Sequence, residues 1–232
     1  MTNRIQLNQI AKEICERLVE RAERLRIAVH ANPDGSRVID CGVGAPGGLE
    51  AGRLMAEVCM AGLGTVEFPV TGGVRPAPAV SVRTDQPLLA CMAGQYAGWR
   101  ISQDGYFAMG SGPMRALAHK EPLFDSIGHG DQEACAVGVL ESSRLPPPAV
   151  CQAIARQCQV DPAGLILLVA RTASQAGTVQ IVARSVETAM HKLLEDVAAV
   201  SAVFHHVASV LSDSLPGARR RRRDSLDIAL GE

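Results

Sequence analysis

The sequence predicts an α/β fold, or a mixed α+β fold, built in layers. Helical and strand patterns alternate along most of the chain, which is typical of proteins whose helices cover a sheet. Of the 232 residues, 47% are hydrophobic and 20% are charged, as in globular proteins that bury a sizeable core. No internal repeat is evident. One large domain or two modest domains are therefore expected.

The first half of the chain opens with a helical pattern over about residues 5–26. Charged residues interrupt its apolar positions, so it lacks the continuous apolar segment of a secretion signal. The turn sequence N-P-D-G at residues 32–35 separates two apolar runs, which predicts a β-hairpin over residues 27–41. A glycine-containing loop then leads to the remaining elements of this half, a helix over 49–61 and strands over 65–70 and 79–84.

The second half continues the alternation. A helix is predicted over residues 87–98, where small residues permit close packing. The prolines at 146–148 suit the first turn of another helix, predicted over residues 146–158. The other predicted elements are strands over 100–102, 134–141 and 165–170 and a helix over 114–120.

Composition excludes several classes of partner. Only 3% of the residues are aromatic, too few to form a stacking track for single-stranded nucleic acid. A net charge of −1 provides no general attraction to DNA or to an anionic membrane. No apolar run reaches the ~18 residues that a membrane span needs. We therefore expect neither a nucleic-acid partner nor a membrane.

The seven cysteines are scattered, without a C-x-x-C pair or a histidine at zinc-binding spacing. An odd number of cysteines without a secretion signal indicates reduced, mostly buried thiols in a cytoplasmic protein. The histidines are isolated or adjacent in sequence, so that two of them cannot face one ligand position on a helix. No metal site is expected.

Residues 172–194 carry the most informative pattern. On a helix predicted over 180–194, four polar side chains fall within about 60° of one another, namely Gln180, Arg184, Glu187 and His191. This pattern offers a carboxylate and a guanidinium to one small volume. The alternative is a solvated surface pair, worth about 0.2–0.5 kcal/mol.

A glycine-containing turn precedes this helix. Thr172, Ser174 and Gly177 are small or polar, which suits close approach of a ligand and donation from the free N–H groups of a helix start. No G-x-S-x-G sequence is present, so a serine hydrolase of that type is excluded.

Two further glycine-containing segments have the composition of binding loops. The segment F-A-M-G-S-G-P could present N–H groups to an anion or pack against a flat ligand, with a tight turn as the alternative; its central residues are Gly110, Ser111 and Gly112. The segment over residues 42–52 matches neither G-x-G-x-x-G nor the P-loop, which argues against a nucleotide site there.

Five segments in order resemble the methenyltetrahydromethanopterin cyclohydrolase family. They are DCGVGAPGGLEAGRLMAEVCMAGLGTVEF, AGQYAGW, DGYFAMGSGPMRALA, VGVLESSRLP and LLVARTASQAGTVQIVARSVETAMHKL. The resemblance covers about residues 5–196. It implies a C1-transfer enzyme, of the kind used in methanogenesis and methylotrophy, that hydrates the methenyl bridge of a tetrahydromethanopterin-type pterin and opens it to the 5-formyl compound.

The resemblance also implies a two-lobed α/β fold, with the pterin in a cleft between lobes over residues 1–86 and 87–196. It implies a cytoplasmic homotrimer without a metal or organic cofactor. The A-R-x-x-E sequence of the family maps onto Arg184 and Glu187, with Glu187 as the base and later the acid, and Arg184 as the group that orients it or tunes its pKa. The residues implied to line the pterin are Gly110, Ser111, Gly112, Thr172, Ser174 and Gly177, with Glu141 and Gln180 as lesser candidates for polar contacts.

The chain departs from the family pattern at two places. Arg171 stands where the family usually has proline. From about Val197, a tail over residues 197–232 replaces the C-terminal part expected for the family and contains five arginines in a row. The tail is expected to be poorly ordered. Its arginines could form a patch for an acidic partner, but we favour the alternative that the tail is the product of a frameshift or early stop.

These departures leave a second class of function open. A chain truncated in this way could be inactive, could bind a pterin without converting it, or could be an interaction subunit of a C1-transfer complex. A folate cyclohydrolase is less expected, because the five segments do not resemble that family.

Overall fold

The computed structural model describes residues 5–69, 79–121, 123–124 and 133–195. Its helices are α1 (Leu7–Glu20), α2 (Ala22–Leu25), α3 (Leu49–Cys59), α4 (Met114–Ala118), α5 (Pro148–Gln157), α6 (Gln175–Ala183) and α7 (Ser185–Glu195), with a π-helix (Leu88–Gln95) and a 3₁₀ helix (Pro162–Gly164). Its strands are β1 (Ala28–Ala31), β2 (Arg37–Gly42), β3 (Gly64–Glu67), β4 (Ser81–Thr84), β5 (Trp99–Gln103), β6 (Tyr106–Ser111), β7 (Ala136–Glu141) and β8 (Leu165–Ala170).

These strands form a mixed sheet and a separate hairpin. The six-stranded sheet has the order β1-β2-β8-β7-β6-β5, and β3 pairs with β4 in a two-stranded antiparallel sheet. Within the large sheet, β2, β8 and β7 are parallel, whereas β1, β6 and β5 run antiparallel to their neighbours. The predicted α/β class is confirmed.

Strand β8 shows why the chain folds into layers. Its six side chains are all buried and alternate between the two faces of the sheet, as the period of a strand requires. Leu165, Leu167 and Val169 pack in the core that includes α4 and α5, whereas Ile166, Leu168 and Ala170 pack in the core that includes α1 and α3. Each fully buried leucine or isoleucine contributes about 1.5–3 kcal/mol to this burial.

The register aligns the carboxyl ends of the parallel strands. Gly42 of β2 pairs with Ala170 of β8, and Ala170 in turn pairs with Glu141 of β7. Strand β6 runs the other way and brings Met109 beside Glu141. In sheets of this type, ligands bind outside the carboxyl ends of the parallel strands. The fold thus points to this edge as the place for a site.

The predicted hairpin is confirmed, and the predicted helix over residues 87–98 is a π-helix instead. β1 and β2 pair antiparallel, and the turn between them is closed by a hydrogen bond from Asn32 N to Ser36 O. The π-helix lies tightly against the end of α3, since a Cβ on Gly94 would lie 2.6 Å from the carbonyl oxygen of Cys59. Such π-helical segments are frequent at functional sites.

The division of the chain into lobes at residues 86 and 87 stays a prediction. Among the described residues, strands from both sides of this boundary share the six-stranded sheet. The chain up to Thr188 forms one compact unit, and residues from Ala189 belong to a second one, of which the end of α7 is described. The predicted tail over residues 197–232 lies outside the described residues.

Candidate active site

The helix predicted to carry the charged pair is interrupted at Arg184. Helix α6 ends at Ala183 and α7 begins at Ser185, so the prediction of one straight helix over residues 180–194 is wrong. The amide of Arg184 donates to the carbonyl of Ile181, three residues back, which tightens the last turn. The carbonyl of Ala183 accepts a hydrogen bond from Nε2 of Gln95, at 3.2 Å. A side chain distant in sequence thus satisfies the helix end.

The guanidinium of Arg184 lies between two carboxylates. Its NH1 donates to Oε1 of Glu141, at the carboxyl end of β7. Its Nε lies 3.7 Å from Oε2 of Glu187, beyond hydrogen-bonding distance. This Nε is buried and has no hydrogen-bond partner among the described residues. Arg184 is therefore hydrogen-bonded to Glu141 and in charge contact with Glu187.

Glu187 is buried, which rules out a solvated surface pair. The residue is 2% exposed, whereas surface ion pairs keep both partners in water. Cys91 of the π-helix interacts electrostatically with Glu187. Burial raises the pKa of Cys91 to about 11, and interactions with Glu187 and Cys59 contribute to the same shift. The structure thus brings Arg184 and Glu187 together, as the sequence predicts, in a place that water barely reaches.

A buried polar cluster lies beside this pair. The Cys59 thiol donates to Ser111 Oγ at 3.2 Å, and Ser111 Oγ donates to Val139 O at 3.3 Å. Nε2 of Gln180 lies 4.0 Å from Cys59 Sγ. The Oε1 atoms of Gln180 and Gln95 are buried and have no hydrogen-bond partner among the described residues. Buried polar atoms normally have a partner, so these two oxygens are candidate acceptors for a ligand.

Burial raises the pKa of Cys59, although the hydrogen bond to Ser111 and the positive charge of Arg184 act in the opposite direction. This thiol therefore stays neutral at physiological pH. Gln95 and Cys59 had not been predicted as site residues. A glutamine in a run of small apolar residues was the available signal for Gln95.

The predicted binding loop at residues 110–112 is mostly strand. Gly110 and Ser111 belong to β6 and are buried, so they are strand residues rather than loop residues. Gly112 follows with a φ of +94°, a conformation that favours glycine. Its amide donates to the carbonyl of Gly94 at 2.7 Å. These residues join β6 to the π-helix, and contact of their backbone with a ligand stays a prediction.

The segment around Ser174 and Gly177 forms the start of α6. Ser174 is the N-cap, and its Oγ accepts from Gly177 N at 3.0 Å and donates to Arg171 O at 2.8 Å. A Cβ on Gly177 would lie 1.9 Å from Arg171 O. Gly177 therefore lies in the first turn of the helix rather than in the preceding turn. Thr172 is exposed, and its carbonyl accepts from Thr178 Oγ1 at 3.3 Å.

Asp40 organises the glycine-containing loop after β2. Its buried carboxylate accepts hydrogen bonds from four successive backbone amides, of Gly42 at 3.0 Å, Val43 at 2.7 Å, Gly44 at 2.7 Å and Ala45 at 2.8 Å. Burial by itself would raise the pKa of Asp40, but these four bonds outweigh it and lower the pKa below its usual value. The amides that could have held a phosphate are therefore occupied by Asp40. An aspartate before alternating glycines was the signal that could have identified this role.

Arg115 fixes the end of the π-helix from inside the protein. It is fully buried, and its NH1 lies within hydrogen-bonding distance of three carbonyls, of Met92 at 3.1 Å, Ala93 at 3.3 Å and Gly94 at 3.4 Å. Its Nε donates to Glu121 Oε1 at 2.9 Å. A buried charge needs such a complete set of partners. By holding the π-helix, Arg115 also holds Cys91 near Glu187 and Gln95 at the end of α6.

Within the described ranges, no three His, Cys, Asp or Glu side chains are grouped so that they could hold a metal ion. Among the same residues, no helix has both the length and the apolar character needed to cross a bilayer.

Comparison with known proteins identifies the family to which the chain belongs. The model of a family described as Cyclohydrolase (MCH) matches residues 6–212, which extends beyond residue 196, where the resemblance was expected to end. Relatives named methenyltetrahydromethanopterin cyclohydrolase include one from Methylobacillus flagellatus, 45% identical over 188 residues, which are 81% of this chain and 58% of that protein. The relative from Methanosarcina barkeri is 46% identical over 191 residues, or 81% and 59% of the two chains. The chain thus spans less than two thirds of the length of these relatives.

Proposed function

Since the chain belongs to the cyclohydrolase (MCH) family, we propose that it hydrolyses 5,10-methenyltetrahydromethanopterin, or its dephospho form, to the 5-formyl compound in C1 metabolism. The observation that carries this proposal is the buried arrangement of Glu141, Arg184 and Glu187 beside the carboxyl edge of the sheet. The methenyl bridge is an amidinium cation and is already electrophilic. Such a substrate needs a positioned water, a base and a proton donor for the departing nitrogen.

Glu187 supplies the base in this proposal. A water oxygen bonds to the methenyl carbon while Glu187 takes a proton from that water, which gives a neutral carbinolamine. Glu187 then returns the proton to the nitrogen at position 10 as the bond from carbon to this nitrogen breaks. The hydroxyl proton leaves to solvent and the formyl C=O forms. One water is consumed and one proton is released for each substrate cation.

Arg184 orients Glu187 and favours its ionised form before the reaction, because a nearby cation stabilises a carboxylate. Its position at the junction of α6 and α7, with NH1 on Glu141, supports this role. The unpartnered buried oxygen of Gln180 supports a polar contact with the pterin, whose ring carries N–H donors. We propose the same lining role for the backbone at Gly110, Ser111, Gly112, Thr172, Ser174 and Gly177.

A second function is favoured by the buried oxygens of Gln95 and Gln180, which have no hydrogen-bond partner among the described residues and suit ligand binding by itself. On this reading the chain binds the methenyl pterin without converting it, or serves as an interaction subunit of a C1-transfer complex. It shares the binding site with the first proposal and differs only in turnover.

One experiment separates the two. Purified protein is added to the methenyl substrate, and the absorbance of the methenyl chromophore is followed while binding is measured by equilibrium dialysis. Enzyme activity predicts a loss of absorbance whose rate is proportional to protein concentration. Binding with stable absorbance would support the binding-only function, and neither binding nor loss would contradict both.

We also propose that the protein is a cytoplasmic homotrimer that uses no metal and no organic cofactor. The resemblance to the family supports the assembly and the absence of a cofactor. The seven cysteines are all free and buried, which supports a reducing compartment.

A further inference from the structure

Glu141 is the second carboxylate of the site, and the sheet fixes its position. It is the last residue of β7, paired in register with Met109 of β6 on one side and with Ala170 of β8 on the other. Its side chain is 14% exposed. Pairing on both sides of the strand fixes the backbone of Glu141 and therefore the point from which its side chain reaches Arg184.

Arg184 divides its contacts unequally between the two carboxylates. NH1 donates to Glu141, whereas the Nε that faces Glu187 lies 3.7 Å from Oε2. That Nε is buried and lacks a hydrogen-bond partner among the described residues. A shift of less than 1 Å, estimated from ordinary hydrogen-bond lengths, would let it donate to Glu187.

We propose that Glu141 is a positioning residue that holds the guanidinium of Arg184 and thereby keeps Glu187 a strong enough base to accept a proton from water. The inference rests on the proposed function of the same site. Two effects of Glu141 act in one direction. It draws Arg184 away from a direct hydrogen bond to Glu187, and it adds a negative charge nearby, and both make protonation of Glu187 easier.

Besides Arg184 and Glu141, other ionisable groups lie near this site. They are His191, four residues after Glu187 on α7, Arg115, whose charge acts on Cys59, and the thiols of Cys91 in the π-helix and Cys59 in α3. Both thiols are buried and have raised pKa values. The two thiols therefore do not give rise to the acid limb of a rate profile.

The test compares Glu141→Gln with Glu141→Asp by measuring kcat and KM against pH. Removing the charge in Glu141→Gln frees Arg184 to pair with Glu187. We expect the acid limb of kcat to move down by about one pH unit, the lower end of the shift that an adjacent cation causes. Plateau kcat should also fall, because a weaker base accepts the proton less readily. Glu141→Asp keeps the charge and should leave the limb near its wild-type position.

Glu67→Gln serves as the matched control, because Glu67 pairs with Arg83 in the exposed β3–β4 hairpin. It should reproduce the wild-type profile. If wild-type protein turns over and Glu141→Gln loses activity with an unmoved acid limb, Glu141 has only a structural role and the inference is overturned.

A second readout is independent of turnover. Glutamate side chains are labelled with ¹³C at the carboxyl carbon and titrated by NMR, and the Glu187 signal is identified by its absence in Glu187→Gln. A lower midpoint for Glu187 in Glu141→Gln supports the inference even if wild-type protein shows no turnover, an outcome that would contradict only the proposed enzyme activity. An unchanged midpoint overturns the inference whatever the turnover.

Discussion

The pair of Arg184 and Glu187 differs from a surface ion pair because Glu187 is buried. The same Arg and Glu on an exposed helix would contribute about 0.2–0.5 kcal/mol. In the structure, Glu187 is buried, and Arg184 has a second carboxylate at hydrogen-bonding distance. Desolvation of buried ion pairs offsets much of their attraction, so such pairs are weak stabilisers. The cost of burying Glu187 beside two partly buried charged groups is consistent with a chemical role.

Replacing Arg184 by lysine tests that role. A single ammonium cannot donate to Glu141 and face Glu187 with the geometry of the planar guanidinium. We expect Arg184→Lys to lower kcat by about tenfold or more, which corresponds to about 1.4 kcal/mol of barrier. Steady-state kinetics with the methenyl substrate measures this effect.

The matched control is Arg156→Lys, because Arg156 is exposed on α5. It should leave kcat unchanged. Equal kcat values in wild-type and Arg184→Lys proteins would remove the guanidinium from the mechanism.

Local sequence predicted the charged pair but not its third member. Arg184 and Glu187 are three residues apart, so helical spacing brings them together. Glu141 is 43 residues away from Arg184, and only the pairing of β7 with β8 places it there. Asp40 was not predicted for a different reason. Alternating glycines usually indicate backbone amides that bind phosphate, whereas here those amides donate to the local carboxylate of Asp40.

At the scale of elements, the junction of α6 and α7 is the feature that local sequence could not predict. The sequence pattern over residues 180–194 is helical throughout, but the carbonyl of Ala183 accepts a hydrogen bond from the side chain of Gln95. This contact links α6 to the π-helix across 88 residues of sequence. Tertiary partners of this kind override helical propensity. Buried strands such as β8 agree closely with the prediction because composition marks them strongly, whereas β6 was not predicted.

The start of α6 requires a glycine at position 177. In Gly177→Ala, the new methyl would lie 1.9 Å from Arg171 O, and the backbone must shift to relieve the overlap. We expect a loss of about 1–3 kcal/mol in the free energy of unfolding, the usual cost of overpacking. Urea unfolding followed by circular dichroism gives this value.

Gly48→Ala is the comparison for this substitution. A Cβ there meets nothing within 4 Å, and the residue is the N-cap of α3, where alanine costs about 1 kcal/mol or less relative to glycine. A Gly177→Ala protein as stable as Gly48→Ala would show that the close contact with Arg171 is not present in solution.

The loop after β2 depends on the charge of Asp40. In Asp40→Asn, one of the two acceptor oxygens becomes an NH₂ group, so two of the four backbone amides lose their partner. We expect a loss of about 1–3 kcal/mol near neutral pH. The pKa of Asp40 is lowered from 3.8 by folding, so its carboxylate contributes fully above that value and progressively less as the pH falls through the lower value of the folded state.

The difference in unfolding free energy between wild type and Asp40→Asn should therefore be constant from about pH 5 upwards and shrink below about pH 4. Urea titrations across this range measure it. A difference that stays the same down to the acid limit would contradict the role of the ionised carboxylate.

For the whole molecule, the topology of the sheet explains how distant segments meet. The carboxyl ends of β2, β7 and β8 lie at one edge, although Gly42 and Ala170 are more than a hundred residues apart in sequence. The alternation of helices and strands predicted the layered class but not the strand order, because pairing depends on tertiary packing of similar apolar strands. The resemblance to the family, rather than periodicity, is what pointed to the chemistry.

The central claim is that Glu187 is the base of a methenyl pterin hydrolysis. The most direct measurement follows the methenyl chromophore after adding wild-type protein, Glu187→Gln, and Glu13→Gln as a control on the exposed side of α1. We predict steady loss of absorbance with wild type and with Glu13→Gln. Glu187→Gln should bind the substrate with similar affinity. Its rate should fall by at least about 10²-fold, the lower end of the range for losing a general base. Turnover by Glu187→Gln at the wild-type rate would contradict the claim.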